Sequence, residues 1–234
     1  MIFIVISFLV CVGIPLTGAI YFLRRKDGTF LSFIVGAAGF FISQPLIRLS
    51  LLEAAREKND WFTLLPYTNI VLYFVILGLT AGIAEECARW LGLGIFRKGR
   101  VSWMDGAAYG LGHGGFEAAW IFFVQIIPLA GTEAAGWNLA IAAWERLFTM
   151  MVHTGLTFVV LYGLKKKKIG YLGLAILLHG IVDFLIILGN PWVLEGLITA
   201  EGVLALVLVL RCRKNWDKKV NLAVRTGGEG YEKN

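Results

Sequence analysis

The chain has 234 residues, of which 58% are hydrophobic and 16% charged, and its mean hydropathy is +0.73. A soluble domain is roughly 45–50% apolar and about 25% charged, so an ordinary water-soluble enzyme and a disordered chain are both excluded, and the sequence reads as a multi-pass membrane protein. The net charge of +6 does not call for nucleic acid, because most of the bases fall in short stretches between apolar runs.

Seven apolar runs are long enough to cross a bilayer, which takes about 20 residues. They cover residues 2–23, 30–50, 63–93, 102–128, 139–164, 169–189 and 192–210. The third and fifth exceed the minimum, so tilt or an interfacial extension is expected there. Arg24, Arg25 and Lys26 follow the first run, Arg97, Lys98 and Arg100 the third, Lys165 to Lys168 the fifth, and Arg211, Arg213, Lys214, Lys218 and Lys219 the seventh. The remaining connections hold only Arg56 and Lys58, beside Glu53, Glu57 and Asp60. By the positive-inside rule the N-terminus lies outside and the C-terminus in the cytoplasm. Residues 1–23 read as a span rather than a cleaved signal, because their bases follow the apolar run instead of preceding it. The expected architecture is an all-α transmembrane bundle, one domain over residues 1–214, with a short polar cytoplasmic tail over 215–234. The expected location is a bacterial or archaeal plasma membrane. Trp61, Trp103, Trp137 and Trp192 near span ends read as interfacial anchors. Cys11, Cys87 and Cys212 form no CxxC or Cys/His metal spacing.

The spans carry ionisable residues that a membrane helix normally avoids, each costing roughly 2.5–3.5 kcal/mol at the helix centre. The third span has Glu85, Glu86 and Arg89, the fourth His113 and Glu117, and the fifth Glu145, Arg146 and His153. The sixth has His179 and Asp183, and the seventh Glu195 and Glu201. Glu85, His113, His153 and His179 lie 12, 13, 12 and 11 residues from the nearest basic loop residue (97−85, 113−100, 165−153, 179−168). At about 1.5 Å per residue that is roughly 16–20 Å, close to the membrane midplane for all four. Residues four apart share a helix face, which aligns Glu85 with Arg89, His113 with Glu117 and His179 with Asp183. Gly106, Gly110 and Gly114 repeat at the same spacing and would let a neighbouring helix approach closely.

A carboxylate among histidines suits water activation. The carboxylate can take a proton from water. The imidazoles can hold a metal that lowers the water pKa, or donate hydrogen bonds to an oxyanion. Either route leads to peptide-bond hydrolysis within the membrane. The sequence contains no Gly-x-Ser-x-Gly elbow, Walker loop, dinucleotide fingerprint or His-Glu-x-x-His.

The run Glu85-Glu86-Cys87-Ala88-Arg89, then His153, then His179-Gly180-Ile181-Val182-Asp183 resembles the CAAX-protease and bacteriocin-processing membrane peptidases, whose pattern is EExxxR, FxxxH and HxxxN/D on successive helices. The chain is more similar to the YhfC-like membrane peptidases, with Gly112-His113-Gly114-Gly115, Glu117 and the pair Glu145-Arg146. The resemblance covers roughly residues 80–185. The arginine stands one residue closer than in EExxxR, and Thr149 replaces the phenylalanine four before the histidine. These departures separate the chain from the orthodox CAAX pattern and leave the YhfC-like one intact.

The resemblance implies that Glu85 or Glu86 activates water and that Arg89 holds the glutamate pair. It implies that His153 binds or polarises the water and that His179, oriented by Asp183, stabilises the oxyanion or acts as a ligand. His113, His153 and His179 would be the ligands of a zinc ion, with Glu117 behind them, and a metal-free glutamate mechanism stands beside this. The expected function is an intramembrane endopeptidase, opening toward the cytoplasm and acting on a peptide or a membrane-anchored protein. The alternatives are a proton- or cation-coupled transporter using the same cluster and a non-proteolytic immunity-type membrane protein. Glu145, Arg146, Glu195 and Glu201 read equally well as buried ion pairs that hold helices together.

Overall fold

The computed structural model describes residues 2–96 and 102–225, so Arg97, Lys98 and Arg100 and the end of the expected tail lie outside the described residues. Every element among the described residues is a helix. Seven helices are long and apolar enough to span a membrane: α1 (Ile2–Arg25), α2 (Thr29–Lys58), α4 (Ile70–Phe96), α5 (Trp103–Ala130), α6 (Trp137–Lys166), α7 (Gly170–Leu188) and α8 (Pro191–Arg225). A short helix, α3 (Asp60–Thr68), sits between the second and third spans.

Local chemistry sets the boundaries. Asp27 Oδ1 accepts hydrogen bonds from Thr29 N at 3.1 Å and Thr29 Oγ1 at 2.6 Å, which starts α2 just past Gly28, a glycine at φ 84°. Ser102 and Asp105 form a reciprocal capping box at the start of α5. Asp105 also accepts a 2.8 Å hydrogen bond from Ser32 Oγ of α2.

The third span departs from its expected range of 63–93. Asn69 breaks it with an extended φ of −152° and caps α4 by accepting a 3.0 Å bond from Leu72 N. Pro66, which has no N–H to donate, lies in α3 just before this break. The last helix also continues past residue 214 to Arg225. Trp216 is buried there, edge-on to Phe158 with centroids 5.5 Å apart and under Lys165 Nζ at 3.5 Å.

Helix α5 packs between α2 and α6, α4 packs on α7, and α6 packs on α8. The approaches are close. A Cβ on Gly110 would stand 2.6 Å from Thr154 Cα of α6, and one on Gly78 of α4 would stand 2.4 Å from the Gly180 carbonyl oxygen of α7. Gly106 and Gly114 likewise face α6, so the glycine stripe presses the helix of His113 onto the helix of His153. Trp61, Trp137 and Trp192 are exposed at span ends, whereas Trp103 is half-buried and donates its indole N–H to Val209 O at 3.0 Å.

Candidate metal centre

Four helices deliver the intramembrane residues to one place. Glu85, Glu86 and Arg89 come from α4, His113 and Glu117 from α5, His153 from α6 and His179 from α7. Glu85, Glu86, Arg89, His113, His153 and His179 are all at most 5% exposed. The three histidines form a row, with ring centroids 4.9 Å apart from His113 to His153 and 5.3 Å from His153 to His179. The shared depth read from the sequence thus corresponds to real proximity.

The partnerships are not those of the i,i+4 spacing. His113 Nε2 donates to Glu85 Oε2 at 2.8 Å rather than pairing with Glu117. Arg89 pairs with Glu86, not Glu85, and its Nη2 donates to His153 Nδ1 at 3.0 Å. His179 Nδ1 donates to Glu86 Oε1 at 2.8 Å, so Glu86 rather than Asp183 orients this ring. Glu117 Oε2 lies 2.5 Å from His153 Nε2, and Glu117 Oε1 accepts from Arg146 Nη1 at 2.6 Å. Arg89 takes its i,i+3 neighbour because Glu85 is turned to α5, and the histidine exchanges arise because these helices pack closely enough for cross-helix contacts to outcompete those along a single face. Asp183 makes no side-chain hydrogen bond or ion pair among the described residues and stands on a cavity wall instead.

That cavity has a volume of about 340 Å³ and separates the cluster into a front and a back. Glu85, Glu117, His153, His179 and Asp183 line it. Glu86, Arg89 and His113 do not, and form the layer behind. Its other walls come from the middle of α2 (residues 40–49), the first half of α4, the last half of α5, the first half of α6, the end of α7 and the start of α8. The cavity therefore extends toward the end of the bundle opposite the basic loops, not toward them as the sequence reading expects. The packing instead fills the basic-loop half with apolar side chains.

Two polar residues that sequence reasoning passed over also stand here. Gln44 donates its side-chain amide to Glu85 Oε1. Arg48 holds Gln44, donating from Nη1 to Gln44 Oε1 at 2.9 Å, and from Nη2 to the Leu77 carbonyl at 2.7 Å. Both belong to a π-helical stretch, Ile42–Arg48, around Pro45. The available signal was a polar pair four residues apart flanking a proline inside an apolar run, a combination that marks local helix distortion. Arg146 also pairs with Glu145 at the cavity wall, whereas Glu195 is buried with an unpartnered Oε2 and Glu201 makes no ion pair among the described residues.

The sequence profile of the YhfC intramembrane metalloprotease family matches residues 6–135 and 123–208. The chain belongs to this family. It is also 26% identical over 239 residues to the uncharacterized membrane protein YhfC of Bacillus subtilis (strain 168), covering 89% of this chain and 92% of that relative. No solved structure matches it.

The YhfC family name implies a metal, and the donors present fit one. Glu85, His153 and His179 each offer a ligand atom within 4.8 Å of the others. Glu85 Oε1 lies 3.7 Å from His179 Nε2, and Glu85 Oε2 lies 3.8 Å from His153 Nδ1. Zinc bonds of about 2.0–2.1 Å place tetrahedral donors roughly 3.3–3.4 Å apart, so Glu85 stands within about 0.5 Å of that spacing from each histidine, through a different oxygen for each. His179 is prepared for the role: its Nδ1–H is held by Glu86, which leaves the Nε2 lone pair facing Glu85. His153 differs, because Arg89 occupies its Nδ1 lone pair. His113 is not in the donor group and instead backs Glu85. Glu86 Oε2, Arg89 Nε and His113 Nδ1, in the layer behind, are buried without hydrogen-bond partners.

Proposed function

We propose that this chain is an intramembrane endopeptidase of the metal-dependent type, with Glu85, His153 and His179 holding a zinc ion. The observation that carries this reading is the grouping of one carboxylate and two imidazoles on a cavity wall within a transmembrane bundle. A zinc ion bound there would lower the pKa of its water to about 7 and polarise a substrate carbonyl.

The chain's own residues have separable tasks. Glu85 faces the cavity and is the carboxylate that meets water and substrate. Gln44 and His113 donate to its two oxygens and fix its plane. Glu86 lies behind, neutralised by Arg89, and fixes the tautomer of His179. Glu117, steadied by Arg146, is an acceptor at the cavity edge for the proton that passes from an attacking water to a leaving amine. The scissile bond belongs to a peptide or a membrane-anchored protein. Transport fits less well, because apolar packing fills the bundle between the cluster and the basic loops and a transport path must continue through both halves.

Elemental analysis of detergent-purified protein tests the metal. About one zinc per chain is expected in the wild type and loss of it in Glu85→Gln and His179→Ala. A folded, chelator-free preparation without metal would sink the metal-dependent reading. Proteolysis is tested by comparing new protein N-termini in cells expressing wild type and Glu85→Gln, and identical sets would count against a peptidase.

A further inference from the structure

The cavity and the packed core occupy opposite halves of the bundle, and together they determine how the cluster is reached. From Glu85 the cavity wall runs back along α4 to Phe74, 11 residues and roughly 16 Å away (85−74). Along α5 it runs from Glu117 to Gln125, and along α6 from His153 to Glu145, each 8 residues or roughly 12 Å (125−117, 153−145). In all three helices the direction is away from the basic loops. Half the hydrocarbon thickness is about 15 Å, so the α4 wall spans that half and the α5 and α6 walls span most of it.

On the other side the same helices close. Leu93 of α4, Tyr109 of α5, Leu161 of α6, Ala175 of α7 and Val209 of α8 belong to one core, each at most 3% exposed. Each of the first four lies between its helix's cluster residue and the basic loop. Packed apolar interiors admit neither water nor a polypeptide.

We infer that the polypeptide cleaved by this chain reaches Glu85 from the membrane face opposite the basic loops. The substrate class is then a membrane-anchored segment whose scissile bond lies in that half of the bilayer. The substrate part rests on the peptidase reading, whereas the direction of access does not. The wall suits such a guest. Gln125, Thr149 and Glu145 offer polar groups to an extended backbone, and Trp120 and Ile198 offer apolar contact to its side chains. A substrate entering from the basic-loop side would have to displace this packed core.

Cysteine labelling measures the direction directly, without a substrate and without activity. In a background with Cys11, Cys87 and Cys212 replaced by alanine, Thr149→Cys and Gln125→Cys report on the cavity from two helices. Glu133→Cys in the α5–α6 connection and Lys166→Cys at the end of α6 report on the two membrane faces. A membrane-impermeant cationic methanethiosulfonate is applied to intact cells and to inverted vesicles. The inference expects both cavity cysteines to label in the preparation that labels Glu133→Cys, with loss of labelling in the one that labels Lys166→Cys. Cavity cysteines that follow Lys166→Cys, that label in both preparations or that label in neither overturn it. The peptidase reading is judged separately by new N-termini, so either idea can fail alone.

Discussion

Toward the basic loops the spans meet through Leu93, Tyr109, Leu161 and Val209, all buried and all in one apolar core. Toward the opposite end the bundle carries Arg48, Glu117, Glu145, Arg146 and Asp183 around an open cavity. The histidine row lies at the boundary. Its rear is tied into the closed half by Glu86 and Arg89, and its front is presented to the cavity by Glu85. A membrane-embedded site needs both halves. The rigid one holds ligand geometry against the cost of burying charge, and the open one brings in water that lipid excludes.

The sharpest test of this contrast compares two arginines. Arg89→Ala leaves Glu86 buried without its cation in the closed half and should cost about 3–5 kcal/mol, read as a large fall in thermal stability in detergent. Arg146→Ala also removes a buried cation, but one shared by Glu117 and Glu145 on the cavity wall, where water can reach the carboxylates left behind, so its cost should be the smaller of the two. Equal losses would erase the distinction between the halves.

Packing offers a second comparison. Gly110→Leu has backbone only 2.6 Å from its first new atom and should cost about 1–3 kcal/mol or more. Thr149→Val on the cavity wall should stay within about 0.5 kcal/mol. Denaturation midpoints of the two variants would show whether the open half tolerates change.

Next in size is the orientation of His179. Glu86→Gln should weaken zinc binding by about 10–100-fold, measured by competition with a chelator, because it loosens the hold on the ring. Asp183→Asn should change it little. The reverse ranking would restore the i,i+4 partnership expected from sequence.

The smallest effect belongs to the connection between α1 and α2. The Thr29 hydroxyl, with Arg25 beside it, holds the Asp27 carboxyl below its ordinary 3.8, at about 2. A lowered folded-state value stabilises the fold above the ordinary value and is lost as pH falls through that window. Asp27→Asn should therefore flatten a slight loss of stability between pH 3.8 and about 2, and the group's exposure keeps this well under 1 kcal/mol.

Much of this was legible in the chain itself. Run length and apolarity identified seven spans, because a bilayer imposes a minimum length that few soluble helices meet. The cost of burying ionisable groups made Glu85, His113, His153 and His179 conspicuous, and counting from the basic loops put them at one level. Their partners were not legible. Helical spacing sees only neighbours on one helix, whereas Glu86 and Arg89 find His179 and His153 across helix interfaces. Gln44 escaped notice because an uncharged amide in an apolar run carries no burial alarm. Its reach to Glu85 arises in a π-helical stretch that local propensity does not encode. The break at Asn69 was hidden for a related reason: hydropathy averages over it and registers no backbone angle.

Because Glu85, His153 and His179 sit on different helices, the cluster also has a timetable. Glu85 is made 94 residues before His179 (179−85), an interval of roughly 5–19 s at a synthesis rate of about 5–20 residues per second. Until α7 enters the membrane the donor trio is incomplete and Glu86 lacks the ring it orients. A chain cut before α7 therefore lacks the assembled cluster, which comes into being only once α7 has packed against α4.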